Sequence, residues 1–279
     1  MLNHSQLISV MADLAKTYHK EFPRSVPIER LRPKPRRIYA MYESWDDAMF
    51  DDKAVFGTGI EELDDATCYF HDGNLIVAAS DSADTNTAFV NLILTDAVTR
   101  TDERIYVFTC ENSIELCIRR LLFDIAELSE DETRQSGLTD GEWDVLCQAY
   151  TVLARSNLGF INCTDLSTEY IRRDWNDVSL IVIDGLERML PGHPDAPPAW
   201  HPIDELSFEL KQLAKELNIP MVFTVKLPRK CQRPSLWELR DVVTEAECDL
   251  VYLIGRNENG SRRVFLEKNR YGRLVSADI

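Results

Sequence analysis

Six short runs rich in aliphatic and β-branched residues recur between residues 74 and 254: NLIVAA (74–79), RIYVFT (104–109), GFIN (159–162), SLIVID (179–184), PMVFTV (220–225) and DLVYLI (249–254). Between several of them, at about 87–98, 113–128, 140–156 and 203–217, apolar residues recur at helical spacing. Continuously apolar runs belong to strands buried on both faces, and helices between them supply the crossovers of a parallel sheet. The pattern therefore predicts an α/β domain with a mainly parallel central sheet and helices on both faces. The tail RRVFLEKNRYGRLVSADI predicts a hairpin turning near Tyr271-Gly272.

Ahead of this core, Leu2, Leu7, Ile8, Met11, Leu14, Ala15 and Tyr18 fall near a 3.6-residue period, which predicts an amphipathic helix over 2–18. Prolines 23, 27, 33 and 35 and six cations from Arg24 to Arg37 follow, then the acidic ESWDDAMFDD. Prolines at that density deny a helix its N–H donors, so this stretch reads as an extended arm, either a solvated linker or a partner-docking segment. The expected organisation is a helix and Pro/Arg-rich arm over 1–54 and an α/β core over 55–279. The chain of 279 residues carries a formal net charge of -16, which opposes a bulk electrostatic grip on nucleic acid or an anionic membrane. Seven cysteines without a C-x-x-C pair read as reduced thiols. A cytoplasmic protein is expected, with no membrane partner and no zinc site.

In parallel α/β sheets, ligands sit beyond the carboxyl ends of the strands. Here GNLIVAA runs into SDSADTNT and then into TAFVNLILTDAV, the layout of a phosphate-binding loop, normally G-x-x-x-x-G-K-[ST]. Its glycines let backbone N–H groups wrap phosphates, its Lys neutralises them and its hydroxyl ligates magnesium. In this frame Ser80 stands at the first Gly, Thr85 at the second and Asn86 at the Lys; Thr87 alone keeps its type. Asp81 and Asp84 add negative charge where a triphosphate would sit. At ~4 Å and an effective dielectric of about 20, each like-charge contact costs on the order of 4 kcal/mol. The motif alone reads as an ordinary loop.

From Thr58 to Gly272 the chain resembles the RecA-type motor domain of the bacterial replicative DNA helicase, the DnaB family. The resemblance rests on TGIEELDD, GNLIVAA, VFTCENSIELCIRRLL, GLTDGEWDVLCQA, LIVIDGLERM, FELKQLAKELNIPMVFTVKLPRK, WELRDVVTEAECDLVYLIGRNE and FLEKNRYG, in the family's order and spacing. It implies a RecA-like P-loop NTPase fold. The family's N-terminal helical domain is expected to have no counterpart in these residues, and the helix at 2–18 resembles at best its linker helix, which packs on a neighbouring subunit.

By resemblance, Thr87 and Asp184 match the magnesium-associated hydroxyl and carboxylate, and Glu111 matches the glutamate that activates water. Lys268 and Arg270 match the basic pair that reaches the next subunit's nucleotide. Taken singly, each also has a plain structural reading: Asp184 as a strand-end cap, Glu111 as a helix N-terminal acid, Lys268 and Arg270 as a cationic hairpin tip. Lys226 replaces the family's polar glutamine; it is expected either to pair with Asp81 and Asp84 and close the phosphate site, or to replace the lost loop Lys. Between Arg188 and Lys211 there is no Lys or Arg, so direct DNA contact is expected to be weak or absent, and Trp200 marks either a solvent loop or a protein-binding one.

The expected function is a helicase-like protein with an impaired ATP site, without a working cofactor, acting through other replication or DNA-processing proteins, with a helicase ring or a homo-oligomer as the setting. The alternatives are a weak ATP- and magnesium-dependent helicase using Asp184, Glu111 and Arg270, and a nucleotide-binding regulator using Thr87 and Asp184.

Overall fold

The structure, a computed structural model, describes residues 4–21, 56–109, 112–162, 168–174, 177–189, 202–228, 231–240, 242–243, 245–257 and 260–279. Glu111, the Pro/Arg-rich arm and Trp200 lie outside the described residues. An eight-stranded sheet forms the centre: β1 (Leu75–Ser80), β2 (Ile105–Thr109), β3 (Leu158–Asn162), β4 (Leu180–Asp184), β5 (Met221–Lys226), β6 (Leu250–Arg256), β7 (Arg262–Asn269) and β8 (Ser276–Asp278). Its order is β3-β2-β4-β5-β1-β6-β7-β8, parallel through β6 and antiparallel from β6 to β8. The predicted parallel core and terminal hairpin are both present.

Strand side chains point alternately to the two faces, and each face has its own core. Ile76, Ala78, Leu180 and Val182 join a cluster under α1 (His4–Thr17), α3 (Ala83–Arg100), α4 (Ile114–Ile125) and α6 (Asp140–Arg155). Leu75, Val77, Ile181 and Ile183 join a second cluster that includes Leu210 and Leu213 of α8 (Pro202–Leu217), Ile171 of α7 (Thr168–Asp174) and Leu239 of α9 (Leu236–Arg240). Because every residue of β1 and β4 is buried, a polar group there must find its partner inside the protein.

The helix at the amino terminus docks on the core of its own chain. Leu7, Val10, Met11, Leu14 and Ala15 are buried against α4 and α6. Lys20 Nζ lies 2.6 Å from Asp140, and the Trp143 indole N–H donates to Glu21 O at 3.2 Å. Among the described residues four short helices escaped the periodicity: α2 (Glu61–Thr67), α5 (Glu130–Ser136), α7 and α9. Among the described residues no helix is long and apolar enough to cross a membrane.

The largest departure from expectation is at the first crossover. The sequence pattern places residues 80–87 in an eight-residue turn and starts the helix at Thr87. In the structure only Asp81 and Ser82 separate β1 from α3, which starts at Ala83. Without glycine no residue from 80 to 87 takes a positive φ, so the chain follows the local alternative and winds into helix. Asp84 sits in that first turn, where the helix dipole favours an acid.

Candidate functional site

The candidate site lies where β1, β4 and β5 end and α3 begins. Ser80 closes the β1–α3 turn: its hydroxyl donates to Ser82 O at 2.7 Å and accepts from Ser82 N at 3.2 Å. The N–H groups of Thr85 and Asn86 both bond to Ser82 O at 3.1 Å. A phosphate nest needs successive N–H groups left free by alternating right- and left-handed backbone. Here three of them are spent within the turn and the helix.

Asn86, at the position expected for the loop Lys, turns back into the protein. It is buried, and its amide donates to Val225 O at 2.8 Å, tying the first turn of α3 to β5. Its Oδ1 has no hydrogen-bond partner among the described residues. One residue on, the Thr87 hydroxyl donates to Asp184 Oδ2 at 2.7 Å and accepts from Asn112 Nδ2 at 3.3 Å. The other Asp184 oxygen accepts from the Thr224 hydroxyl at 2.8 Å, which in turn accepts Gly185 N at 2.8 Å. Asp184 is only 6 % exposed, and these bonds give its buried carboxyl group polar partners. Thr87 and Asp184, expected as partners, are thus brought into contact.

Sequence reasoning missed Asn112 and Thr224. Thr224 did leave a signal, being the polar residue inside the apolar run MVFTV. Cys117 packs nearby, and burial, opposed by a contact to Thr109 and reinforced by the Asp184 charge, pushes its thiol up to about 11.

The pairing expected for Lys226 is not present. Lys226 ends β5 in register with Ser80, but it is exposed and makes no ion pair with Asp81 or Asp84. Arg120 of α4 takes Asp84 instead, at 2.9 Å. A guanidinium one turn away across the α3–α4 packing reaches the first turn of α3, whereas Lys226 points into solvent. On the β6 side of the turn, Asp81, Thr85, Ile254, Arg256 and Arg262 line a cavity of about 210 Å³. Gly255 lets the 232–234 segment cross its rim, since a Cβ there would stand 2.2 Å from Gln232 O.

Lys268 and Arg270 lie at the opposite end of the sheet. β7 runs antiparallel to β6, with Asn269 opposite Leu250 and Lys268 opposite Val251. Lys268 Nζ donates to Glu245 O at 2.5 Å and Ala246 O at 3.3 Å; desolvation first, and the Arg270 charge second, hold its pKa below the usual lysine value. Arg270 Nη1 is 3.3 Å from Asp249 Oδ1 and its Nη2 donates to Ala246 O at 3.3 Å. The chain's own Thr87–Asp184 pair is therefore out of reach of both cations. Among the described residues no group of three or more His, Cys, Asp and Glu could hold a metal ion.

Residues 56–279 match the sequence profile of the DnaB-like helicase C terminal domain. Replicative DNA helicase DnaC of Bacillus subtilis is 26% identical over 213 residues, covering 72% of this chain and 47% of that protein. A probable plasmid replicative DNA helicase of Chlamydia trachomatis is 28% identical over 262 residues, covering 88% and 56%. The chain thus spans about half the length of these relatives. Among solved structures, an isolated ATPase domain superposes with a TM-score of 0.68 at 20% identity, over 81% of this chain and 88% of that one. A DnaB-like replicative helicase described with its interactions with primase gives 0.67 at 20% identity, over 81% and 60%. At that identity the superpositions establish the RecA-like fold, and the profile match over most of the chain establishes the rest: this protein belongs to the DnaB-like helicase C-terminal domain family.

Proposed function

We propose that this chain is a DnaB-like motor homologue that no longer hydrolyses nucleotide and works through contacts with other replication or DNA-processing proteins. The observation that carries the reading is the two-residue turn between β1 and α3. ATP with magnesium is the group the family implies, and the residues present fit one half of it. Thr87 and Asp184 supply a hydroxyl and a carboxylate suited to a magnesium ion. The phosphates find no free nest, no cation from the loop, and Asn86 tied to Val225 where a lysine would extend. Loss of those donors removes the charge stabilisation on which phosphoryl transfer depends.

Partnership follows from the same asymmetry. Among the described residues Arg270 and Lys268 hold only Glu245, Ala246 and Asp249 and reach no part of the Thr87–Asp184 site; in this reading their use lies with another subunit, in a helicase ring or with a second copy. Direct DNA binding is weak in this reading, because the stretch from 189 to 210 carries no Lys or Arg to release counterions. A second reading, a nucleotide-binding regulator without hydrolysis, draws support from the intact Thr87–Asp184 contact.

Calorimetry with ATP and magnesium, followed by mass measurement with and without ligand, tests the proposal. The expected result is no heat of binding and no turnover. Micromolar binding without turnover selects the regulator, and turnover lost on Glu111→Ala restores the working ATPase.

A further inference from the structure

The turn that carries Arg270 is fastened on both flanks of that residue by shorter contacts than those of the Arg270 side chain itself. On one flank, Asn269 Nδ2 donates to Ala66 O at 2.8 Å and Arg273 O at 3.0 Å, while its Oδ1 accepts Tyr271 N at 2.9 Å. On the other, the Tyr271 ring stacks on His71 with centroids 4.1 Å apart, and its hydroxyl accepts from Asn74 at 2.6 Å. Gly272 passes so close to α2 that a Cβ would stand 2.6 Å from Ala66 O. Arg270 N itself donates to Asp249 O at 3.2 Å. The surface receiving these bonds is stiff as well: α2 ends in two left-handed residues, Cys68 and Tyr69, at φ 52° and 68°.

The guanidinium is held differently. Its two contacts are both 3.3 Å long, and the side chain is 47% exposed. Asp249, its acidic neighbour, already accepts Lys211 Nζ at 2.5 Å and Leu75 N at 2.8 Å, and Lys211 is itself buried. Arg270 can therefore leave without stripping a buried carboxylate of its counter-charge. The geometry points to a built presentation device: Asn269 and Tyr271 fix the backbone of the turn against α2 and residues 71–74, and the side chain alone swings outward to the polyphosphate of a nucleotide bound by a partner subunit. Asn269 and Tyr271 are positioning residues in this scheme, and Asp249 with Lys211 is the resting place. The inference rests on the proposed reading that Arg270 serves another subunit.

A fixed base matters because a misplaced cation loses most of its effect on a transition state, about 100-fold for a displacement near 1 Å. The test mixes the full chain with the replicative helicase of its own host and reads ATPase rate, complex mass and melting temperature. Arg270→Ala should abolish any change in the partner's rate. Tyr271→Ala and Asn269→Ala should reduce that change about tenfold in kcat, with KM, complex mass and melting temperature held. Tyr271→Phe, which keeps the stack, should retain most of the effect; if Tyr271→Ala proves unstable, Asn269→Ala and Tyr271→Phe carry the comparison. Should Arg270→Ala act while Tyr271→Ala and Asn269→Ala behave as wild type, the positioning inference fails and the reading of Arg270 stands. Should no complex form, or Arg270→Ala change nothing, the reading fails and takes the inference with it.

Discussion

Replacing Thr87 with Val separates a structural network from a nucleotide site. The substitution keeps the branched shape at the first turns of α3 but removes the hydroxyl that donates to Asp184 at 2.7 Å and accepts from Asn112 at 3.3 Å. Hydrogen bonds to a charged partner contribute about 1.5–3 kcal/mol, and the longer, part-buried bond from Asn112 adds little. Asp184 keeps its bond from Thr224, so the charge is not left bare. The expected loss is about 2 kcal/mol, a fall in melting temperature of roughly 4–8 °C for a domain of this size. Thermal unfolding with and without 1 mM ATP and magnesium is the assay. A site binding ATP at about 10 µM would gain about 2.7 kcal/mol at that concentration, hence a rise of several degrees in the wild type. The proposed function expects no rise in either protein. If ATP raises the wild-type melting temperature and Thr87→Val cancels the rise, the closed-turn argument is refuted. If Thr87→Val melts with the wild type, the network reading is refuted.

Three further substitutions probe other parts of the molecule. Asp64 is buried, and desolvation, only partly offset by bonds from Thr58 and Gly59, raises its pKa from 3.8 to about 6. An acid with a raised folded pKa holds more protons folded than unfolded between those values, so its contribution to stability falls as pH rises from about 4 to 6. Denaturant melts across that window should show a shallower fall for Asp64→Asn, and an unchanged slope would reject the assignment. Leu14→Ala removes a fully buried side chain from α1 and is expected to cost roughly 2–4 kcal/mol of local docking; hydrogen exchange over residues 4–21 should rise while the sheet stays protected. Gly255→Ala places a Cβ 2.2 Å from Gln232 O and 2.5 Å from Pro234 Cδ, so the crossing segment must shift at a cost of about 1–3 kcal/mol; a melting temperature equal to wild type would contradict the packing.

Legibility along the chain follows how local each cause is. The six apolar runs match the six parallel strands to within two residues, because burial on both faces leaves a continuous run that nothing else in the chain imitates. Helices of 12 residues or more are legible for the same reason. α2, α5, α7 and α9, of 7, 7, 7 and 5 residues, are too short to display a period and are defined by caps and packing instead.

At the site, the amino-acid order alone dictated which residue types occupy the β1–α3 crossover, and hence that left-handed backbone there would fall to residues other than glycine, at a steric cost. It also placed Thr87 early in the helix that follows β1 and Asp184 at the end of β4, on the side where a parallel sheet gathers them. Tertiary structure decided the rest. α3 extended back to Ala83, with Thr85 N and Asn86 N bonded to Ser82 O, and Asn86 found a carbonyl on β5 that is 139 residues away. Asp84 went to Arg120 rather than to Lys226 because α4 packs on α3, whereas a lysine at the tip of β5 faces water. Residue type is a local property, but the choice among several cations for one carboxylate depends on distance and solvation, and those exist only once the elements have packed.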